Sequence, residues 1–288
     1  RVVPGIDVLF QENLPLIDGK RIGLITNPTG VNRKMQSTID IIERYPNANL
    51  TTLFGPEHGV RGDRSAGQTV EDMIDDQTGC RVYSLYGRNR RPSQNMLDSV
   101  DVLVYDIQDI GSRAYTYITT LAYCMQAAAE KNIPFIVLDR PNPLGGELIE
   151  GPMLEEAYRS FIGVYPIPYI YGMTVGELAL YFNTEFNIAC NCQVIQMKNW
   201  DRAMTFSDTG LQWVPTSPHV PHPETPFFLA ALGCLGELHL VNEGVGYTQP
   251  FELVGSNFIK ASNFTNHMNS LELEGVVFRP VHDQPFYT

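Results

Sequence analysis

The sequence predicts an α/β fold in which a mostly parallel β-sheet is covered by helices on both faces. Along the first half of the chain, short apolar runs rich in β-branched residues alternate with segments of helical periodicity. The runs contain few polar residues, which is typical of strands buried on both faces of a parallel sheet. Ligands bind such sheets beyond the carboxyl ends of the strands, so we expect the polar residues after each strand to line one crevice.

The N-terminal elements follow the order strand, helix, strand. Residues 21–26 form an apolar strand that a turn closes. Residues 37–45 then predict a helix with Ser37 or Thr38 as its cap, and residues 50–54 predict the next strand. This order is the repeating unit of a parallel sheet.

The centre of the chain repeats the unit more clearly. Residues 100–107 predict a buried strand that ends in polar side chains. Residues 117–131 have an Ala-rich interior and predict a helix, with Asn132 following its end. Residues 134–138 predict a further strand, whereas residues 62–80 predict an exposed loop.

The chain changes character after Gly151, where residues 152–170 are aromatic and rich in proline. We therefore expect a first domain at residues 1–155 and a smaller α+β subdomain at residues 156–288 that completes the cleft.

Two local signals stand out in this second part. Thr174 and Glu177 have the spacing of a capping box and predict the start of a helix. Residues 213–226 hold five prolines, which predicts a rigid loop on the surface or across a cleft.

Composition excludes several classes of protein. The formal net charge of -12 argues against nucleic acid as a partner, because phosphate binding needs clustered Lys and Arg. No stretch approaches the roughly 18 consecutive apolar residues that a membrane helix requires. The five cysteines have no zinc-site spacing, and we expect no cofactor.

Glu57 is the first candidate for acid or base chemistry. It lies in Gly-Pro-Glu-His-Gly, where a stiff loop fixes the direction of the carboxyl group and the neighbouring His58 adds a second titratable side chain. The alternative is a glutamate that only accepts hydrogen bonds from loop amides.

Asp106, Gln108 and Asp109 follow the central strand and supply further acidic groups. Strand alternation predicts that Asp106 and Gln108 point to one side. Glycoside hydrolysis typically uses two carboxyl groups that flank the scissile bond. The alternative is that one aspartate caps the next segment and pairs with Arg113.

Cations and aromatic side chains near these clusters suit a saccharide with a carboxylate. Arg113, Arg61 and Arg140 can pair with a carboxylate in bidentate geometry, although each can instead pair with an internal aspartate. Tyr115 can stack on a sugar or pack in the core.

Other chemistries lack their sequence patterns. No G-x-G-x-x-G follows the first strand, no Walker sequence is present, and no G-x-S-x-G elbow occurs. A metal hydrolase using His58, Asp106, Asp109 and Asp139 stays open from residue types, without regular ligand spacing to support it. The residues alone therefore predict an acid/base cleft of unknown substrate.

Seven blocks of sequence, in order over nearly the whole chain, resemble the NamZ family of exo-β-N-acetylmuramidases. The blocks are residues 5–9, 24–30, 54–59, 106–113, 139–143, 172–177 and 250–252. The resemblance implies a bacterial glycosidase that releases N-acetylmuramic acid from the non-reducing end of peptidoglycan fragments. It also implies a Rossmann-like N-terminal domain and a periplasmic or secreted location, with a signal peptide outside the numbered chain.

Site residues follow from the resemblance and from the clusters together. The expected catalytic carboxyl groups are Glu57, Asp106 and Asp109, and the expected substrate-binding residues are His58, Arg61, Gln108, Arg113, Tyr115, Asn142 and Glu243. The lactyl carboxylate of muramic acid needs a local cation, for which Arg113 is the first choice and Arg61 the second. A non-catalytic cell-wall sugar-binding protein and a metal-dependent hydrolase are the alternatives.

The chain departs from the family pattern in two places. The resemblance implies Arg-His before Gly172, where this chain has Ile170 and Tyr171. The numbered chain stops at Thr288, so we expect part of the family's C-terminal segment to lie beyond it.

Overall fold

The computed structural model describes residues 1–62 and 73–283. The contacts within the chain divide it into two compact units, Arg1–Pro223 and Glu224–Thr288. The predicted boundary near residue 155 lies inside the first unit, because a strand and a helix from beyond that residue join the sheet. Most of the predicted loop at residues 62–80 lies outside the described residues.

The first unit is built on a seven-stranded sheet in the order β3-β4-β2-β1-β5-β6-β7. The strands are β1 Arg21–Thr26, β2 Asn49–Gly55, β3 Met73–Ile74, β4 Arg81–Ser84, β5 Val102–Asp106, β6 Phe135–Leu138 and β7 Cys192–Ile195. Every neighbouring pair is parallel except β3 and β4. The predicted mostly parallel sheet is therefore confirmed.

Four helices cover this sheet: α1 Gly5–Glu12, α2 Thr38–Glu43, α3 Tyr117–Lys131 and α4 Val175–Glu185. Local contacts confirm one predicted end in each of α2, α3 and α4. Ser37 Oγ accepts from the amide of Ile39 at the start of α2. Asn132 ends α3 in the left-handed region at φ 54°, and the capping box of Thr174 and Glu177 starts α4. The sequence pattern did not predict α1, which has only eight residues and packs against β6 and β7.

Side chains of the central strands alternate between two cores. Leu103 and Tyr105 pack with α3 and α4 on one face, whereas Val102 and Val104 pack with α1 and α2 on the other. Because both faces are covered, the strands carry almost continuous apolar sequence. The chain reverses its direction of travel across the sheet between β1 and β5, which is where open α/β sheets bind ligands.

The second unit contains α5 Thr225–Gly236 and α6 Ala261–Asn269. A backbone bridge joins Asn242 and Gly255 within it. Sequence reasoning placed no helix at either position.

Candidate active site

The loop after β2 holds Glu57 in a tight reversal of the chain. The amide of Gly59 donates to the carbonyl of Pro56 over 3.0 Å. His58 and Gly59 both lie in the left-handed region, with φ of 73° and 77°. This conformation is uncommon for a non-glycine residue and concentrates at functional sites. The loop thus fixes the backbone beside Glu57 and buries the side chain of His58.

A hydroxyl group from another segment positions the Glu57 carboxyl group. Thr116 Oγ1 donates to Glu57 Oε2 over 3.1 Å, and the charge of Glu57 acts on the phenol of Tyr86, which follows β4. Burial, followed by the negative charge of Glu57, raises the pKa of Tyr86, so its phenol stays protonated. Glu57 is partly exposed. A partly exposed carboxyl group that a hydroxyl orients can exchange a proton with a bound molecule.

Thr116 reaches Glu57 because it does not cap its own helix. It is the residue before α3, yet its side chain makes no capping hydrogen bond. A threonine at this position usually accepts from an amide of the first turn. Here its hydroxyl is directed at the carboxyl group of another loop.

Asp106 at the end of β5 is fully buried in an ion pair. Arg140 Nε donates to Asp106 Oδ1 over 2.5 Å, and Arg140 Nη2 donates to Oδ2 over 2.9 Å. Thr38 Oγ1 also donates to Oδ2, over 2.5 Å. Because both oxygens are engaged by one arginine, the arrangement favours a structural role that joins β5 to the loop after β6.

Asp109 is held differently, with one oxygen bonded and one without a partner. The amide of Gly111 donates to Asp109 Oδ2 over 2.9 Å, and the hydroxyl of Tyr171 donates to the same atom. Within the part of the chain that the structure describes, Asp109 Oδ1 is buried without a hydrogen bond. Burial raises the pKa of Asp109 to about 6, although these two donors oppose the shift.

Gln108 and Asn142 fasten the loops that surround these acids. Gln108 Nε2 donates to the carbonyls of Asp109 and Pro141 over 2.8 and 2.7 Å. Asn142 Nδ2 donates to the carbonyl of Met173 over 2.9 Å, while its Oδ1 accepts from the amide of Leu144. Both amide side chains are buried and bonded to backbone, so they fix the loops after β5 and β6.

All three candidate arginines contact other parts of the chain. Arg61 contacts Asp75 through Nε at 3.0 Å and Nη2 at 2.9 Å, and Arg140 pairs with Asp106 as described. Arg113 Nη1 donates to the carbonyl of Ile167 over 3.2 Å, and its role at the lactyl carboxylate stays a prediction. The geometry therefore weakens the prediction that Arg61 binds a substrate carboxylate.

Tyr115 anchors the proline-rich loop to the start of α3. Its hydroxyl donates to Thr216 Oγ1 over 3.1 Å, and the hydroxyl of Tyr117 donates to the carbonyl of Thr216 over 2.5 Å. The two tyrosine rings meet edge to face with centroids 4.8 Å apart. Burial raises the pKa of Tyr115, so it serves here as a neutral donor. This placement favours the packing alternative over stacking on a sugar.

Glu243 belongs to the second unit. Its side chain lies so close to Gly236 that a Cβ atom there would stand 2.5 Å from the Glu243 carboxyl carbon. The carbonyl of Glu243 accepts from the amide of Phe251 over 2.6 Å. Its role in substrate binding stays a prediction.

Sequence reasoning missed Thr116 and Tyr86, and although it placed the ring of Tyr171 near the cleft, it did not predict the contact of Tyr171 with Asp109. Thr116 carries a usable signal, since a threonine directly before a strong helical pattern is a candidate cap. Tyr86 and Tyr171 have no local signal, because their partners Glu57 and Asp109 are distant in sequence.

Fold and site together define a class of protein. A doubly wound α/β sheet with an oriented carboxyl group beyond its strand ends has the layout of an acid/base enzyme. No group of three or more His, Cys, Asp or Glu side chains at residues 1–62 and 73–283 is arranged to hold a metal ion.

The particular family follows from comparison with known proteins. The N-terminal model of exo-β-N-acetylmuramidase NamZ matches residues 22–224, and the C-terminal model of NamZ matches residues 230–288. This chain belongs to the exo-β-N-acetylmuramidase NamZ family.

Relatives of known structure or name agree with this assignment. The peptidoglycan β-N-acetylmuramidase NamZ of Bacillus subtilis (strain 168) is 51% identical over 100% of this chain and 69% of that protein. A DUF1343 family protein from Bacteroides fragilis NCTC 9343 is 52% identical, with a TM-score of 0.94 over 100% of this chain and 73% of its own. A second DUF1343 protein from that organism is 34% identical, with a TM-score of 0.77 over 89% of this chain and 67% of its own.

Proposed function

We propose that this protein is an exo-β-N-acetylmuramidase that releases N-acetylmuramic acid from the non-reducing end of peptidoglycan fragments. The observation that carries the proposal is the Glu57 carboxyl group, which is partly exposed and accepts a hydrogen bond from the Thr116 hydroxyl. Membership of the NamZ family supports the substrate, since the relative from Bacillus subtilis is named for peptidoglycan.

Glu57 is the proton donor of the proposed reaction. As the glycosidic bond breaks, the leaving oxygen takes a proton from the carboxyl group. Water finally adds to carbon 1 of the sugar and gives up one proton, which restores the protonated acid and frees N-acetylmuramic acid. The fixed loop and the Thr116 hydroxyl hold the carboxyl group in one direction, which is what a general acid requires.

Asp109 is the second carboxyl group of the proposal, and Asp106 is left out. A pKa of about 6 lets Asp109 change its protonation state near neutral pH, and its Oδ1 has no bonded partner among the described residues. Asp106 has both oxygens bound by Arg140. Gln108 and Asn142 act through the loops that they fasten, whereas roles for His58 and Glu243 in binding substrate rest on the family resemblance.

Action on peptidoglycan implies a place in the bacterial cell envelope or outside the cell. No helix in the described part of the chain is long and apolar enough to cross a membrane. We therefore infer a periplasmic or secreted enzyme, which fractionation of the producing cells tests directly.

The decisive variant is Glu57→Gln, assayed on a chromogenic muramoyl glycoside. We expect turnover to fall by at least about a hundredfold, the scale of general acid catalysis, while binding of N-acetylmuramic acid persists. Near-normal turnover would exclude Glu57 as the proton donor.

The same assay separates the alternatives. Release by the native protein that a chelator leaves unchanged supports the glycosidase, whereas loss of release on chelation supports a metal-dependent hydrolase. Binding of the sugar without any release supports a non-catalytic cell-wall sugar-binding protein.

A further inference from the structure

We infer that Arg90 binds the lactyl carboxylate of the muramoyl residue and so sets the preference for muramic acid over glucosamine. This inference rests on the proposed function and adds a residue that neither the motifs nor the resemblance suggested. Tyr86 lies near both the candidate proton donor Glu57 and a cluster formed by Phe161 and Arg90.

Tyr86 connects Glu57 with an arginine-bearing aromatic cluster. The charge of Glu57 acts on the Tyr86 phenol, and the Tyr86 ring lies 5.9 Å from the ring of Phe161. The guanidinium carbon of Arg90 lies 4.5 Å from the centroid of that Phe161 ring, and the charge of Arg90 also acts on the Tyr86 phenol. Glu57 and Arg90 therefore both lie near Tyr86.

Arg90 remains available to bind an anion, whereas Arg61, Arg91 and Arg140 are each engaged by a carboxylate. Arg61 pairs with Asp75 and Arg140 with Asp106, and the adjacent Arg91 pairs with Glu130. These six residues form three internal ion pairs. Arg90 is exposed, and it has no ion pair within residues 1–62 and 73–283.

The contact with Phe161 prepares Arg90 for a carboxylate. A guanidinium stacked on an aromatic face is held in orientation, and its N–H donors point outward in the plane of the group. That edge matches the two oxygens of a carboxylate in a bidentate pair. Phe161 is buried, so it offers a fixed platform.

The chemistry of the substrate requires a cation at some distance from the proton donor. N-acetylmuramic acid differs from N-acetylglucosamine by a lactyl ether at carbon 3, whereas the scissile bond is at carbon 1. The group that protonates the glycosidic oxygen and the group that binds the carboxylate must therefore stand about one sugar ring apart. A chain with a net charge of -12 repels an anionic sugar at long range, so recognition needs a local cation.

The test compares two substrates and three variants. Arg90→Ala is expected to lower kcat/KM for a chromogenic muramoyl glycoside by about tenfold to a hundredfold, chiefly through KM, because a charged bidentate hydrogen bond is lost. The matching N-acetylglucosamine glycoside should change by less than about twofold. Arg90→Lys keeps the positive charge but not the planar pair of N–H donors, so we expect it to retain part of the preference for the muramoyl substrate.

Arg88→Ala is the matched control, since Arg88 is an exposed arginine two residues away without an ion pair among the described residues. It should leave the ratio of the two substrates unchanged. An equal loss of kcat/KM on both substrates in Arg90→Ala would overturn the inference. It would also be overturned if Arg88→Ala changed the ratio of the two kcat/KM values as much as Arg90→Ala does.

Binding measurements separate this inference from the proposed function. Calorimetry with free N-acetylmuramic acid and free N-acetylglucosamine needs no turnover, so it remains informative in a protein that releases no sugar. A preference for N-acetylmuramic acid that disappears in Arg90→Ala supports the role of Arg90. A preference that persists in that variant, or no preference in the native protein, contradicts it.

Discussion

At the scale of single residues, the environment of a carboxyl group decides between structure and chemistry. Asp106 is the last residue of β5, Glu57 follows β2, and both belong to polar clusters. Asp106 is bound by Arg140, a residue 34 positions away in the sequence, whereas Glu57 accepts from the hydroxyl of Thr116. The sequence predicts that acids gather at this edge, but it does not tell which of them have a partner, because each partner comes from a different strand end.

Replacing Thr116 tests whether its hydroxyl orients the proton donor. In Thr116→Val the Glu57 carboxyl group loses the hydroxyl that orients it, so we expect kcat to fall while KM stays nearly unchanged. The fall should be smaller than in Glu57→Gln. The measurement is the profile of kcat and KM on the muramoyl substrate.

Thr116→Ser is the control for this variant, because it keeps the hydroxyl and should keep the native profile. The helix is not expected to lose stability from a missing cap, since the Thr116 side chain makes no capping bond. An unchanged profile in Thr116→Val would show that Thr116 only packs against the loop.

At the scale of elements, α4 shows what a local pattern can and cannot predict. The capping box of Thr174 and Glu177 is readable from spacing, and it is present. The third group at this helix start is Asp139, whose Oδ1 accepts from the amides of Gly176 and Arg140 over 2.9 and 3.0 Å. That contact joins the end of β6 to α4 and has no signature in sequence, because it depends on how the helix docks on the sheet.

Asp139 should also make the free energy of unfolding depend on pH, and a single substitution can test this. Burial, aided by the nearby charge of Glu177, raises the pKa of Asp139 from 3.8 to about 6. Between these values the folded protein holds a proton that the unfolded chain has lost, so stability falls as pH rises and the penalty is complete above about pH 6.

Asp139→Asn should remove this penalty while keeping an oxygen acceptor for both amides. Relative to the native protein, we expect its free energy of unfolding to rise between pH 4 and pH 7 by up to about 3 kcal/mol, from 1.36 kcal/mol per pKa unit. Urea unfolding at several pH values measures the difference. Asp139→Ala, which lacks the acceptor, should be less stable at every pH, and a difference for Asp139→Asn that does not vary with pH would contradict the assignment.

At the scale of the whole molecule, the sequence predicts the part of the fold in which strands and helices alternate. Strands β1, β2, β5 and β6 and helix α3 have patterns that their own residues define, because each strand is covered on both faces. Strand β7 joins the same sheet beside β6. It lies beyond the change in composition near Gly151, so the predicted boundary near residue 155 separates β7 from the strand with which it pairs.

Separate expression of two N-terminal fragments tests where the first folding unit ends. Residues 1–223 contain all seven strands and the three buried clusters of the structure's described part, so we expect this fragment to fold cooperatively. Residues 1–155 lack β7 and α4 and leave Ile118 and Ala122 of α3 without the partners that cover them. We expect this shorter fragment to show no cooperative thermal transition and weak near-ultraviolet circular dichroism. A native-like spectrum and a sharp transition for residues 1–155 would instead support the earlier boundary, because strands β1 to β6 and helices α1 to α3 would then form a core without the segment that follows.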